Sequence, residues 1–158
     1  MNVDIQRQTE TGQQPEDPEI CRWVAAAFLG DDPETEMTVR IVDEDESAQL
    51  NQTYRHKAGP TNVLSFPFEN PPGVDLPLLG DVVICAPVVE REAGEQHKAP
   101  QAHWAHMVVH GTLHLQGYDH IDAKDAEQME QLEIDILHQL GFSNPYEPTE
   151  NNERRSID

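Results

Sequence analysis

The alternation of apolar and polar positions predicts four short strands. Each of four segments has either a period of two or a run of β-branched residues. One of them is nearly all apolar after Asp81, which is typical of a central strand. The predicted strands are residues 3–7, 38–42, 62–66 and 79–85.

Apolar positions at helical spacing, together with helix start signals, predict about five helices between and after the strands. Asp17 and Pro18 predict a helix start, with Asp17 as the cap and proline as the first helical residue. Asp43 and Glu46 predict a capping box, and Asp122 is expected to cap the last helix. The predicted helices are residues 17–29, 43–54, 86–93, 102–115 and 122–140.

This inventory predicts one compact domain over residues 1–142, which suits a chain of 158 residues. Apolar residues recur at helical spacing along the last helix and are expected to form core. They are Met129, Leu132, Ile136, Leu137 and Leu140. Residues 143–158 are polar and without periodicity, so we expect a disordered tail there.

Net charge, cysteine content and the length of apolar stretches limit the classes of function that the chain can have. The net charge of −20 argues against a broad nucleic-acid surface, although Arg55, His56 and Lys57 stand together and form one local basic site. With only Cys21 and Cys85 and no signal peptide, the chain is expected in the reducing cytoplasm. No apolar stretch approaches the roughly 20 residues of a membrane span, so no membrane partner is expected.

Candidate chemistry is concentrated in His110, His114 and His120. The first two are four residues apart, so their imidazoles leave one face of a helix one turn apart. Gly117 allows that helix to end, and a chain that turns there can bring His120 back toward the others. Three imidazoles and an open position are a usual ligand set for catalytic zinc. The alternative is that these are surface or core histidines that happen to be close.

This spacing is shared with a family of zinc proteases, in which a glutamate acting as general base follows the first histidine. Here that position is Gly111. The pattern therefore predicts a protease-like metal frame without the protease's base.

Four segments together resemble the YbeY-type endoribonucleases, bacterial metal-dependent proteins of ribosomal RNA maturation. The resemblance extends over about residues 20–146 and departs at Asn62, where the family more often has Asp. We expect that departure not to affect the metal. The four segments are Leu50–Arg55, Pro60–Pro67, Leu79–Cys85 and His110–His120.

The resemblance implies an α+β fold, with a small mixed sheet of four strands surrounded by about five helices and a metal site at the end of a central helix. It implies a zinc-dependent endoribonuclease, a hydrolase of phosphodiester bonds, that cleaves single-stranded RNA. The implied roles are maturation of the 3′ end of small-subunit (16S) ribosomal RNA and ribosome quality control. The implied partners are rRNA and the ribosome or a small-subunit ribosomal protein, while the oligomeric state stays open.

The expected ligands of one zinc per chain are His110, His114 and His120, with His110 also counted as catalytic. Arg55 is expected to clamp phosphate, because a guanidinium can hold a phosphate through two hydrogen bonds; the alternative is a surface arginine paired to an acid. Asp81 is expected either to orient an imidazole or to cap a strand.

Simpler roles are expected for the remaining candidates. Ser65 is as well suited to a backbone hydrogen bond as to the cleft. Packing or turn formation is expected for Tyr118 and Asp119, packing or solvation for His103 and His106, and burial for Cys85.

Two rival functions remain open. A metalloprotease or other metal hydrolase is disfavoured by Gly111. A non-enzymatic ribosome assembly factor would hold structural zinc, and such a site is closed by a fourth protein ligand. Only three ligands are evident from the sequence, which favours an open catalytic position.

Overall fold

The computed structural model of the protein describes residues 1–147 and contains a four-stranded mixed sheet with five α-helices. This confirms the expected α+β class. The strands are β1 (Asn2–Arg7), β2 (Glu36–Val42), β3 (Val63–Pro67) and β4 (Leu78–Cys85). The helices are α1 (Asp17–Ala27), α2 (Glu44–Arg55), α3 (Ala86–Glu95), α4 (Pro100–Leu115) and α5 (Ala123–Gln139).

The strands lie in the order β1-β2-β4-β3. β1, β2 and β4 are mutually parallel along this order, and β3 runs antiparallel to β4. β4 is therefore an interior strand, as its apolar sequence predicts, and its residues Val82, Val83, Ile84 and Cys85 are buried. Cys85 packs in the core as expected, and burial raises the pKa of its thiol.

Helix α4 is the centre of the main core. Every residue from His103 to Leu113 is buried, because α1, α3, α5 and the strands β3 and β4 all contact this helix. Trp104 packs there with Trp23 of α1 and with Val82 and Ile84 of the sheet. A smaller cluster around Val83 and Leu64 covers the opposite face of the sheet. Among residues 1–147, no helix is both long and apolar enough to cross a bilayer.

Of the three predicted N-terminal helix caps, the structure confirms the one at α5 and corrects those at α1 and α2. The Asp122 carboxylate accepts a hydrogen bond from the Asp125 N–H at 2.8 Å, as predicted. At α1 the cap is Glu16, one residue before the predicted Asp17; Glu19 accepts from the Glu16 N–H at 3.3 Å.

The predicted capping box at α2 does not form. Asp43 is the cap residue, but its side chain makes no capping hydrogen bond. Glu46 instead pairs with Arg40 of β2 through two hydrogen bonds of 2.5 and 3.1 Å. A bidentate pair with arginine is stronger than a bond to one backbone N–H, so the ion pair takes the carboxylate.

Part of the predicted tail is ordered against the domain. The carbonyl of Pro145 accepts a hydrogen bond from Lys98 Nζ at 2.8 Å, and Tyr146 contacts His106 and Glu133 of the core. The rest of the predicted tail, residues 148–158, lies outside the described residues.

Candidate metal centre

Four histidines form one column along α4. His103, His106, His110 and His114 follow each other at steps of three, four and four residues, so all four project from one helical face. Successive ring centroids are 6.3, 6.4 and 6.3 Å apart. The column runs from the buried middle of the protein to the half-buried end of α4.

The turn after α4 brings a fifth histidine to the end of this column. Gly117 has a left-handed φ of 99°, and its N–H donates to the His114 carbonyl at 3.0 Å. The chain reverses there, and the ring of His120 lies 5.5 Å from that of His110 and 6.2 Å from that of His114. The turn predicted from Gly117 and the return of His120 are both present.

A ligand set for a metal ion lies at this point. Ligand atoms of His114, Asp119 and His120 are all within 4.8 Å of one another. His110 lies beside this group, with its ring centroid 6.3 Å from that of His114. Asp119 also has the turn-forming role expected from sequence, because its Oδ1 accepts a hydrogen bond from the His120 N–H at 2.6 Å.

The chemistry of these atoms fits a cation. Nε2 of His110 and Nδ1 of both His114 and His120 are buried without a hydrogen-bond partner among residues 1–147. Burial lowers the pKa of His114 and His120, and the nearby His110 lowers it further. The rings of His114 and His120 are therefore neutral at pH 7, as metal ligation requires. Imidazole with carboxylate suits several first-row divalent metals.

Glu133 of α5 fixes the orientation of His110. Its Oε2 lies 2.6 Å from His110 Nδ1, and its side chain is fully buried. Burial alone would raise the pKa of Glu133, but His106 and His110 lower it well below its usual range, so the carboxylate stays ionised. An ionised carboxylate only accepts, so Nδ1 of His110 carries a proton and Nε2 is the ring nitrogen left to face a metal.

The other oxygen of Glu133 is held by two further donors. His106 Nε2 lies 3.1 Å from Oε1, and the Tyr146 hydroxyl donates to the same oxygen. His103 belongs to a separate pair, in which its Nε2 lies 2.9 Å from Glu92 Oε1. His103 and His106 are thus buried and hydrogen-bonded, in agreement with the packing role expected from sequence.

Arg55 is the last residue of α2, not part of the connection that follows it. Among residues 1–147 it has no hydrogen bond and no ion pair, so no acid in that range pairs with it. Burial is the largest cause of the lowered pKa of His120; the positive charges of His110 and, to the smallest extent, Arg55 lower it further, while Asp119 and Glu133 raise it. Arg55 is half-buried at the end of α2, and its charge acts on one of the candidate metal ligands.

Gly111 has a packing role that explains the missing protease base. A Cβ at this position would lie 2.6 Å from Val82 Cγ1, so α4 can approach β4 this closely only with glycine. The Ser65 hydroxyl donates to the Gly111 carbonyl at 3.4 Å, the backbone bond expected for a strand serine. A glutamate side chain at position 111 has no room on this face.

Asp81 lies on the open sheet and not among the histidines. It is exposed and lines a groove of about 860 Å³ with Thr38 and Phe66, and its side chain has no hydrogen bond within residues 1–147. The carboxylate that orients an imidazole is therefore Glu133, which sequence reasoning assigned to no role.

A family model described as "Endoribonuclease YbeY" matches residues 4–141. The chain belongs to the YbeY endoribonuclease family. The solution structure of TM1509 from Thermotoga maritima is also similar, with 26% sequence identity and a TM-score of 0.54. That alignment covers 96% of this chain and 99% of TM1509.

YbeY membership confirms the resemblance seen in the sequence. It supports an endoribonuclease role in rRNA processing, with RNA as the substrate class. The family match ends at residue 141, so Tyr146, which holds Glu133, lies beyond the matched residues.

Proposed function

We propose that the protein is a zinc-dependent endoribonuclease that cleaves single-stranded RNA. Its proposed roles are maturation of the 3′ end of 16S rRNA and ribosome quality control in the cytoplasm, with the ribosome or a small-subunit ribosomal protein as partner. YbeY membership and the buried, unpartnered imidazole nitrogens at the end of α4 support this proposal.

His110, His114 and His120 are the proposed ligands of one zinc ion per chain. Three neutral imidazoles are a usual set for catalytic zinc. When bound, zinc would polarise the scissile phosphate or lower the pKa of the attacking oxygen. The chain's own contribution is to keep His114 and His120 neutral through burial, and to orient His110 through the carboxylate of Glu133.

Arg55 is the proposed phosphate clamp. A guanidinium without an acid partner within residues 1–147 can form two parallel hydrogen bonds with phosphate oxygens. Its positive charge stabilises the negative charge that the phosphate gains in the transition state. The imidazole nitrogens at the end of α4, buried and without a hydrogen-bond partner within residues 1–147, are the observation that carries the proposal.

The proposal is tested by comparing metal content and RNA cleavage in one set of preparations. We expect purified wild-type protein to contain about one zinc per chain and to cleave a single-stranded RNA. His114→Ala should lose most of the metal and the cleavage. Cleavage that persists in metal-free His114→Ala would contradict the role of the metal, and equal zinc in both proteins would contradict the ligand assignment.

An assembly factor with structural zinc is the second candidate, because Asp119 offers a possible fourth ligand. A closed site with four protein ligands would leave no position for substrate. Zinc-loaded protein that binds ribosomal particles but shows no turnover of RNA would favour this candidate. Cleavage by protein free of contaminating nuclease, abolished in His114→Ala, would rule it out.

A protease function is not supported by the site. Gly111 contacts the sheet where the protease family has its general base. A peptide-cleavage screen run beside the RNA assay separates the two, and peptide cleavage without RNA cleavage would overturn the endoribonuclease proposal.

A further inference from the structure

The metal ligand His110 is connected to the segment after α5 by a buried chain of hydrogen bonds. One carboxylate oxygen of Glu133 contacts His110, and the other contacts both His106 and Tyr146. Glu133 is fully buried, and the side chains of His106 and His110 are each at most 3% exposed. Tyr146 is the member that comes from outside the regular elements.

We propose that Glu133, held by Tyr146 and His106, is the positioning residue that sets the metal affinity of the site. This inference rests on the proposed function only in assuming that His110 is a ligand. Glu133 touches no substrate and acts through the ring of His110. Tyr146 acts one step further away, through Glu133.

The geometry gives Glu133 two effects on His110. The bond to Nδ1 leaves Nε2 as the nitrogen that can face a metal, and it prevents rotation of the ring about its χ angles. A carboxylate acceptor at Nδ1 also makes the imidazole a stronger electron donor. Both effects require the carboxylate itself to stay in place.

Tyr146 and His106 supply that constraint. A buried carboxylate with one partner would have an uncompensated oxygen, which is costly away from water. Donors from His106 and Tyr146 satisfy Oε1, so the plane of the carboxylate is fixed on both sides. Lys98 holds the same segment by donating to the Pro145 carbonyl at 2.8 Å. The segment that contains Pro145 and Tyr146 therefore supports the metal site by holding Glu133 in place.

The test measures metal affinity directly. Metal-free protein is titrated with Zn²⁺ against a chromogenic chelator, and with Co²⁺, whose visible spectrum reports ligand geometry. Glu133→Gln should weaken Zn²⁺ binding by about 10- to 100-fold and alter the Co²⁺ spectrum. Tyr146→Phe, which removes one hydroxyl, should weaken binding by a smaller factor in the same direction.

Two matched controls accompany these variants. Glu127→Gln makes the same change at an exposed position of α5, and Tyr54→Phe removes the hydroxyl of an exposed tyrosine. Both should bind Zn²⁺ with wild-type affinity. If Glu133→Gln fails to fold, Tyr146→Phe still decides the question, because a deleted hydroxyl leaves the ring packing intact.

His110→Ala separates this inference from the proposed function. If His110→Ala binds Zn²⁺ as tightly as wild type, the ligand assignment is wrong. If His110→Ala loses the metal while Glu133→Gln and Tyr146→Phe bind at wild-type affinity, only the positioning inference is overturned. Loss in all three, with normal controls, supports both.

Discussion

At the scale of single residues, Arg55 offers the sharpest test of catalysis. Arg55→Glu should give a folded, zinc-loaded protein whose RNA cleavage falls by about a hundredfold or more, because a transition-state donor is lost and a like charge faces the phosphate. Circular dichroism, zinc content and cleavage rate of a single-stranded RNA are measured on one preparation.

Arg22 provides a matched control for Arg55, because it is an exposed arginine on α1. Arg22→Glu should leave the cleavage rate within a few-fold of wild type. Unchanged cleavage in Arg55→Glu would show that Arg55 does not clamp phosphate. Loss of zinc or of the fold would show that Arg55 is a structural residue.

The closeness of the three candidate ligands could be predicted from sequence, but the groups that support them could not. His110, His114 and His120 follow from helical geometry and one turn glycine. Glu133 is far away in sequence, and its role depends on how α5 packs against α4. One signal was present: Glu133 stands within the apolar stripe between Met129 and Ile136, and a lone acid in a core stripe needs a partner.

At the scale of elements, sequence patterns located the strands and helices well and the caps less well. Alternation and helical spacing report which face is buried, and burial decides whether an element forms. A cap depends on one side chain that other groups compete for. Glu46 illustrates this, since Arg40 from a neighbouring strand takes the carboxylate that the local sequence assigns to the capping box.

The contact between α4 and β4 gives an element-scale prediction. Gly111→Ala gains up to about 1 kcal/mol of helix propensity, but overpacking against Val82 costs about 1–3 kcal/mol, so the net effect should be destabilising. Urea unfolding of the metal-free protein measures the difference in free energy.

Two further variants examine the cause of that destabilisation. Gly94→Ala in α3, where an added Cβ meets nothing within 4 Å, should be neutral or stabilising. Combining Gly111→Ala with Val82→Ala should destabilise the protein by less than the sum of the two single changes, because the smaller side chain at position 82 relieves the clash with the added Cβ. Full additivity would show that Gly111 is not needed for this contact.

At the scale of the whole molecule, the metal-free protein should lose stability as pH falls. Burial lowers the pKa of His106, His114 and His120 below 6.5, so the unfolded chain takes up protons at a higher pH than the folded chain. The free energy of unfolding therefore decreases as pH drops through about 6.5. Glu133, with its lowered pKa, adds a loss of the same sign at more acidic pH.

Urea midpoints of metal-free protein from about pH 7.5 to 5.5 measure this dependence. Replacing His106 by Asn should weaken the dependence of the urea midpoint on pH, whereas the same change at the exposed His138 should not. Stability that is constant or rises over this range would contradict the assignment of these histidines as neutral.

The net charge of −20 limits how RNA can be bound. If RNA contacts only Arg55, its neighbours and the metal, the affinity of the protein for free RNA should be weak. The logarithm of the binding constant should then fall with log salt at a slope no steeper than about −2, which corresponds to about three phosphate contacts. A slope that implies about six or more contacts would reveal a basic surface beyond Arg55 and its neighbours.

The position of Glu133 and Tyr146 after the histidines has a consequence for the order of events during synthesis. A nascent chain that has emerged only as far as His120 already has the three imidazoles, yet it lacks the carboxylate that orients the ring of His110. Translation is vectorial, so α5 and the segment that follows it are the last parts of the site to appear. The candidate metal centre is therefore complete only after Glu133 and Tyr146 have been synthesised.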